Sequence, residues 1–210
     1  MVRMSVRALA GAAAGLSMLV AGAASAADDG GDETLATAIF AGGCFWCVEE
    51  AFDKVQGVIS TTSGYTVGKA STANYNAVKT GRTKHTEAVR IVYDPKKVSY
   101  QRLLRVFWRN IDPLQANAQF CDRGPQYRTG IYFLDGKQAK LARASKARLE
   151  ASARFKGKRI ATEIEKASTF YAAENYHQDY YKKHPVRYKY YKYGCGRPQR
   201  LKQIWGSKAS

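Results

Sequence analysis

The sequence predicts a single α+β domain, a mixed α/β two-layer sandwich that ends in an irregular C-terminal tail. Short strand-like runs alternate with helical runs from residue 37 onward. Neither an internal repeat nor a linker rich in Pro, Gly or Ser divides the chain. Beyond Tyr171 the composition shifts to Tyr, Lys and Gly, which favours a tail that wraps over the core.

The N-terminus has the features of a secretory signal peptide. Arg3 and Arg7 precede a run rich in Ala and Gly, and Ala24-Ser25-Ala26 fits a small-residue cleavage site. The apolar run is shorter than the ~20 residues that a spanning helix needs, so we expect cleavage after Ala26 and no membrane anchor. The predicted boundaries are residues 1–26 for the signal peptide, 27–36 for a flexible leader and 37–206 for the folded domain. We expect export to a bacterial periplasm, where disulfides persist.

The first elements follow from hydrophobic spacing. Residues 37–41 form a strand candidate that stops at two glycines. Phe45, Val48 and Phe52 then recur at helical spacing until Gly57 ends the run.

The remaining elements alternate in the same way. Strands are predicted over 58–65, 87–93 and 130–134. Ser99 is a helix cap, followed by inward positions at Leu103, Leu104, Phe107 and Ile111. Residues 138–155 form a long helix with a basic exposed face.

The formal net charge is +17. Because the cations are dispersed along the chain, we interpret them as a solvated surface and predict no specific nucleic-acid role. An alternative uses residues 182–200, where Tyr alternates with Lys and Arg, as a surface for anionic polymers.

The chain has four cysteines: Cys44, Cys47, Cys121 and Cys195. A zinc site usually needs two close pairs, whereas Cys121 and Cys195 are isolated, so neither a metal nor a bound cofactor is expected. Cys44 lies at a predicted helix start, where free N–H groups stabilise a thiolate and lower a thiol pKa to about 3.5–7.5. Reactive thiol chemistry is therefore the leading interpretation. A reactive thiol alone does not distinguish a thioredoxin-like exchanger, a cysteine hydrolase and a sulfoxide reductase.

Six motifs in order distinguish these classes. They are Gly43-Cys44-Phe45-Trp46, Ser63-Gly64-Tyr65-Thr66, Asn74-Tyr75, His85-Thr86-Glu87-Ala88-Val89, Phe107-Trp108 with Asp112-Pro113, and Gln126-Tyr127-Arg128. From about residue 38 to 206 the chain resembles the peptide methionine-sulfoxide reductase A family. The alternative is a general thiol-disulfide oxidoreductase built on residues 44–47.

The resemblance implies a reaction and its residues. Cys44 would attack the sulfoxide sulfur and become a sulfenic acid, while the Glu87 carboxyl would donate a proton to the leaving oxygen. Tyr75 and Tyr127 would hydrogen-bond that oxygen, and Asp122 would help to fix the site.

The resemblance also implies that two aromatic residues bind the substrate. Phe45 and Trp46 would hold the S-methyl group. The substrates implied are oxidised proteins or peptides carrying the S epimer, and the protein is expected to be a monomer. Residues 174–178 match another family stretch, in which we interpret His177 as polar scaffold.

The second step has three candidate thiols. Many family members have Gly where this chain has Cys47 and use a cysteine of the C-terminal tail. We therefore expect Cys195, between two flexible glycines, to resolve Cys44, with Cys47 as resolver or relay. Cys121 is a third candidate or, alternatively, a buried free thiol. An external thioredoxin-like reductant, or dithiothreitol in the test tube, would recycle the enzyme.

Overall fold

A computed structural model describes residues 1–2 and 35–206. Residues 3–26 of the predicted signal peptide and 27–34 of the predicted leader lie outside the described residues. The strands are β1 Ala36–Gly42, β2 Val58–Thr66, β3 Thr86–Tyr93, β4 Ala118–Gln119, β5 Asp122–Arg123, β6 Thr129–Phe133, β7 Glu163–Lys166 and β8 Tyr171–Ala172. The helices are α1 Phe45–Asp53, α2 Tyr75–Val78, α3 Tyr100–Arg109, α4 Gly136–Ala151, α5 Tyr180–Lys183, α6 Pro185–Gly194 and α7 Arg197–Trp205. No helix among the described residues is long and apolar enough to cross a membrane.

The strands form one six-stranded sheet in the order β7-β6-β1-β3-β2-β8, and β4 pairs separately with β5. The pairs around β1 are antiparallel, with Phe40 opposite Val89 and Ile39 opposite Tyr132. Only β6 and β7 pair in parallel within the described sheet. The fold is therefore a mixed α/β domain with a central sheet, as predicted.

Strand β1 divides the core between the two faces of the sheet. Ala38 and Phe40 point into the larger cluster under the helices, whereas Ile39 and Ala41 point into a smaller one on the opposite face. The Phe40 ring stacks on Phe52 of α1, with centroids 5.3 Å apart. This packing holds α1 against the strand that precedes it.

The main predicted elements are confirmed, with small changes at their ends. Ser99 caps α3 by accepting the N–H of Arg102, and the predicted inward residues of α3 are buried. Helix α4 begins earlier than predicted because Asp135 caps it, accepting the N–H of Gln138 at 2.7 Å. It also ends earlier, where Ser152 adopts an extended backbone. Phe155, placed at the predicted helix end, lies beyond α4 and is buried.

The C-terminal tail differs from the irregular segment predicted. It contains α5, α6 and α7. Pro185 and Pro198 lie in the first turns of α6 and α7, where the missing N–H and fixed φ of proline suit a helix. The indole of Trp205 donates to the Ile111 carbonyl at 3.0 Å, so the tail is fastened to the helical layer.

Many tail cations bind the chain itself. Lys182 contacts the carboxylates of Asp53 and Asp179 at 3.0 and 2.7 Å. Lys192 contacts Glu50 at 2.5 Å, and Arg200 contacts Asp112 at 2.8 Å. These residues serve to dock the tail, which weakens the alternative of an anionic-polymer surface.

Candidate active site

The candidate nucleophile lies at the junction of β1 and α1. Gly43 has φ +78°, and a Cβ there would lie 2.4 Å from Cβ of Gln119, so glycine is required both for the backbone and for the space. This turn places Cys44 at the N-cap of α1, with φ −48° and ψ 116°. Cys44 is 5 % exposed and faces the positive end of the helix dipole.

A small cavity of about 80 Å³ opens at this helix end. It is lined by Cys44, Phe45, Trp46, Tyr75, Glu87, Asp122, Tyr127 and Tyr191. The sequence predicts the first seven of these, and the fold brings them together from α1, α2, β3 and the segment 122–127. Tyr191 of α6 is the residue that sequence reasoning missed. Cys47 and Cys195 are not part of the cavity lining.

Glu87 lies on β3 and is 2 % exposed. Burial raises the pKa of its carboxyl to about 8, and the neighbouring charges of Asp122 and Cys47 act in the same direction. The backbone N–H of Phe45 donates to Oε2 of Glu87 at 3.1 Å, which opposes the rise and fixes the carboxyl beside the cysteine. Glu87 is therefore mostly protonated at neutral pH and can donate a proton.

Cys44 and Cys47 form a buried pair of free thiols. Burial raises the pKa of Cys44, and its hydrogen bond with Cys47 raises it further. The same hydrogen bond lowers the pKa of Cys47 to about 6, supported by the positive charge of Arg197. The surroundings thus favour ionisation of Cys47 over Cys44, which differs from the lowered Cys44 pKa that the helix start predicts.

Two tyrosines, Tyr75 and Tyr127, also line the cavity. Burial and the nearby Glu87 raise the pKa of both Tyr75 and Tyr127, so both hydroxyls keep their protons and can donate. The N–H of Tyr75 donates to Oε1 of Glu174 at 2.8 Å. Tyr127 ends a short 3₁₀ turn that is tied to β3, where Thr86 donates to the Gln126 carbonyl.

Residues of the C-terminal tail fix the position of Trp46 in the cavity lining. The indole N–H of Trp46 donates to Nδ1 of His177 at 3.1 Å, and the Trp46 ring stacks on Tyr180 with centroids 3.7 Å apart. His177 thus has the scaffold role expected of it. Phe45 is fully buried against the core, whereas Trp46 is partly exposed, so the two adjacent rings have different surroundings.

Asp122 is connected to α6. Its Oδ2 accepts the hydroxyl of Tyr191 at 2.5 Å. Burial raises the pKa of Asp122, while Tyr191 and Arg197 oppose that rise. Tyr191 therefore keeps this carboxyl at the rim of the cavity.

The other two cysteines are bonded to each other. A disulfide joins Cys121 to Cys195 across 74 positions of sequence. Cys121 is exposed, so its interpretation as a buried free thiol is wrong. In this state Cys195 is bonded to Cys121 rather than to Cys44, and its direct attack on Cys44 stays a prediction.

A larger cavity of about 960 Å³ lies between α1, α3 and α7. Its walls include Arg102, Arg105 and Lys202, and it contains none of the predicted site residues. Because Cys44 and Glu87 line the smaller cavity, that cavity is the candidate active site.

Comparison with known proteins agrees with this arrangement. Residues 36–209 match the family model for peptide methionine sulfoxide reductase. The chain is 48 % identical over 171 residues to "Peptide methionine sulfoxide reductase MsrA" of Bacillus licheniformis, covering 81 % of this chain and 94 % of that protein. The protein of the same name from Ligilactobacillus salivarius is 51 % identical over 169 residues, covering 80 % and 97 %.

Solved structures show the same fold. Methionine sulfoxide reductase A of Corynebacterium diphtheriae aligns with a TM-score of 0.67 at 35 % identity, covering 74 % of this chain and 78 % of that one. Reduced Mxr1 of Saccharomyces cerevisiae aligns with a TM-score of 0.68 at 31 % identity, covering 73 % and 87 %. Mxr1 in complex with Trx2 has a TM-score of 0.50 at 23 % identity, covering 70 % and 85 %, and this likeness extends to the fold alone. The chain belongs to the peptide methionine sulfoxide reductase family.

Proposed function

We propose that this protein reduces the S epimer of methionine sulfoxide in peptides and proteins, using Cys44 as the nucleophile. The observation that carries the proposal is one cavity shared by Cys44, a protonated Glu87 and the Trp46 ring. A sulfoxide needs these three elements: a thiolate for its sulfur, a proton for its oxygen and an apolar contact for its methyl group.

The first step begins within the cysteine pair. As Cys44 attacks the sulfoxide sulfur, its proton moves to the Cys47 thiolate along their hydrogen bond. Glu87 protonates the sulfoxide oxygen, and Tyr75 and Tyr127 donate hydrogen bonds to it. The attack forms an S–S bond between Cys44 and the substrate. The hydroxyl then shifts from the substrate sulfur to Cys44 as the S–O and S–S bonds break, and methionine leaves. The sulfoxide sulfur is reduced by two electrons, and Cys44 is oxidised to a sulfenic acid.

Cys47 is the thiol best placed for the second step. A disulfide between positions i and i+3 strains a regular helix, but Cys44 precedes α1 and has non-helical ψ. The N–H of Cys47 donates to the Cys44 carbonyl at 3.1 Å, which makes a tight turn that brings the two residues together. Attack by Cys47 on the sulfenic sulfur forms the Cys44–Cys47 disulfide and releases the oxygen as water.

The pair Cys121 and Cys195 then recycles Cys44 and Cys47. In its dithiol form this pair reduces the Cys44–Cys47 disulfide by exchange and becomes the Cys121–Cys195 disulfide. We call Cys44 and Cys47 the inner pair and Cys121 and Cys195 the outer pair. The disulfide of the outer pair and the free thiols of the inner pair support this order of exchange. A thioredoxin-like dithiol protein is the proposed external reductant. The choice is supported by Mxr1, which aligns in its reduced form at 31 % identity and has also been solved in complex with Trx2.

We extend the proposal to export from the cytoplasm, with cleavage after Ala26. The support is the signal-like sequence of residues 1–26 and an outer disulfide that includes the exposed Cys121, because such bonds persist in oxidising compartments. The mass of the protein recovered from a periplasmic fraction should correspond to a chain that begins at Ala27. A full-length chain confined to the cytosol would contradict this extension.

A chromatographic assay with separate epimers of a methionine sulfoxide peptide tests the catalytic proposal. With dithiothreitol, the mature protein should consume the S epimer and leave the R epimer, and Cys44→Ser should consume neither. Insulin disulfides serve as the competing substrate. Reduction of insulin without reduction of either sulfoxide would instead support a thiol-disulfide oxidoreductase.

A further inference from the structure

The two sulfurs of the Cys121–Cys195 disulfide have different surroundings. Cys121 is an exposed residue between β4 and β5. Cys195 is partly buried at the end of α6 and packs against the main hydrophobic core. Thiol exchange requires an approach along the S–S bond from the side of the sulfur that is attacked. A protein reductant therefore has access to the Cys121 side of the bond, whereas the core blocks the Cys195 side.

The polar groups around the disulfide also favour attack on Cys121 with Cys195 as the leaving group. Sγ of Cys195 accepts the backbone N–H of Cys121 at 3.1 Å. A hydrogen bond to sulfur stabilises a thiolate and makes that sulfur the better leaving group. The Asp122 carboxylate lies near both sulfurs, with Oδ1 3.8 Å from Sγ of Cys121 and a carboxylate oxygen within 4.8 Å of Sγ of Cys195, so the hydrogen bond to Cys195 is what distinguishes them. The negative charge released by cleavage is thus better placed on Cys195.

We propose that the external dithiol reductant attacks Sγ of Cys121 and that Cys195 leaves as the thiolate. This inference rests on the proposed function, because it assigns the point at which electrons enter the same catalytic cycle. A bond forms between the reductant sulfur and Cys121, and the Cys121–Cys195 bond breaks with its electron pair on Cys195, which then takes up a proton. The second thiol of the reductant then displaces Cys121 from the mixed disulfide. The reductant is oxidised by two electrons, and the outer pair becomes a dithiol.

Cys121 and Cys195 thus have different roles. Cys121 exchanges with the reductant in solvent, and Cys195 is released on the side that faces the core. A merely structural disulfide would not need this asymmetry, and it would resist the reductant.

Trapping a mixed disulfide tests the direction. Mature protein with its outer disulfide intact is mixed with a thioredoxin variant in which the second active-site cysteine is replaced by serine, and the non-reduced digest is mapped by mass spectrometry. The expected product has thioredoxin bonded to Cys121, with Cys195 newly free for alkylation. A bond to Cys195, a bond to Cys44 or Cys47, or no mixed disulfide would each overturn the proposal.

Two controls separate this inference from the proposed function. The fully reduced protein has no disulfide to attack and should give no product, and an equal yield from it would contradict specific attack. The same preparation is assayed for reduction of methionine S-sulfoxide with dithiothreitol. If that activity is absent but thioredoxin is still bonded to Cys121, the proposed function alone is wrong. If activity is full but thioredoxin is bonded to another residue, only the assignment of Cys121 as the point of attack is wrong.

Discussion

Glu87 accepts the backbone N–H of Phe45 at 3.1 Å, which places a buried carboxyl next to the residue that follows Cys44. The hydrogen bond crosses from α1 to β3, over 42 positions of sequence. It explains how an acid with a pKa raised by burial is kept within reach of the sulfur chemistry. This geometry supports the proposed role of Glu87 as proton donor in the first step.

Replacing this donor should slow the reaction without unfolding the protein. We expect Glu87→Gln to keep the contact with Phe45 through its amide oxygen and to lose about 100-fold or more in kcat, the usual contribution of a general acid. Glu165→Gln, at an exposed position of β7, is the matched control and should retain full activity. Steady-state assays with the S epimer measure both, and a Glu87→Gln enzyme within twofold of the unchanged protein would exclude the donor role.

The rate should depend on pH in a bell shape. The pKa of Glu87 is raised to about 8, and its protonated form is the active one, so activity falls as pH rises through that value. The pKa of Cys47 is lowered to about 6, and its thiolate must accept the Cys44 proton, so activity also falls as pH drops through that value. A profile of kcat/KM against pH measures these ionisations in the free enzyme. A rate that still rises above pH 9 would contradict the assignment of Glu87.

Removal of the aromatic contact should affect binding. Trp46→Ala removes the ring that stacks on Tyr180 and contacts His177, and with it the apolar contact for the substrate methyl. We expect KM for the sulfoxide to rise by about 5- to 10-fold, because such a contact contributes ~1 kcal/mol. Trp46→Phe should restore most of the affinity, and identical effects of Ala and Phe would argue against a contact made by the ring.

The connection between α6 and the cavity can be tested at Tyr191. Tyr191→Phe removes the hydroxyl that Asp122 accepts at 2.5 Å, leaving a buried carboxyl that has lost a partner at a cost of about 1–3 kcal/mol. We therefore expect a roughly 3- to 10-fold lower kcat at pH 7 and a lower thermal midpoint. Tyr190→Phe, on the exposed side of α6, is the control. Equal behaviour of the two variants would show that the bond to Asp122 has no effect on the site.

The fate of the sulfenic acid depends on the resolving thiol. Cys47→Ser lacks the acceptor of the Cys44 proton, so it should form its one equivalent of methionine per chain more slowly in a single turnover. Its Cys44 sulfenic acid should then persist. Cys195→Ser should form the Cys44–Cys47 disulfide without delay. Peptide mapping of both variants gives the answer, and a Cys44–Cys195 bond formed in Cys47→Ser at the normal rate would make Cys195 the direct resolver.

The strongly patterned elements could be predicted from the sequence. Hydrophobic spacing or a capping residue within the segment itself is enough to predict β1, α1, β3 and α3. β7 and β8 were not predicted because they have only four and two residues. Their strand conformation depends on pairing with β6 and β2, which lie far away in the sequence.

The site could be predicted in part for a similar reason. Cys44, Glu87 and Tyr127 lie in motifs that resemble a family pattern, whereas Tyr191 is one of fourteen tyrosines in a tail that the composition marks as irregular. The prolines at the starts of α6 and α7 occupy first helical turns, a position that composition alone does not reveal. The pairing of Cys121 with Cys195 depends on the fold, because spacing alone does not determine which cysteines meet.

The central claim is that Cys44 takes the oxygen of methionine S-sulfoxide. The direct test uses the reduced double variant Cys47→Ser/Cys195→Ser, mixed with one equivalent of substrate in the presence of dimedone, a reagent that labels sulfenic acids. The account predicts one equivalent of methionine and a dimedone adduct on Cys44. Methionine formed with the adduct on another residue, or no methionine formed by a folded protein, would contradict it.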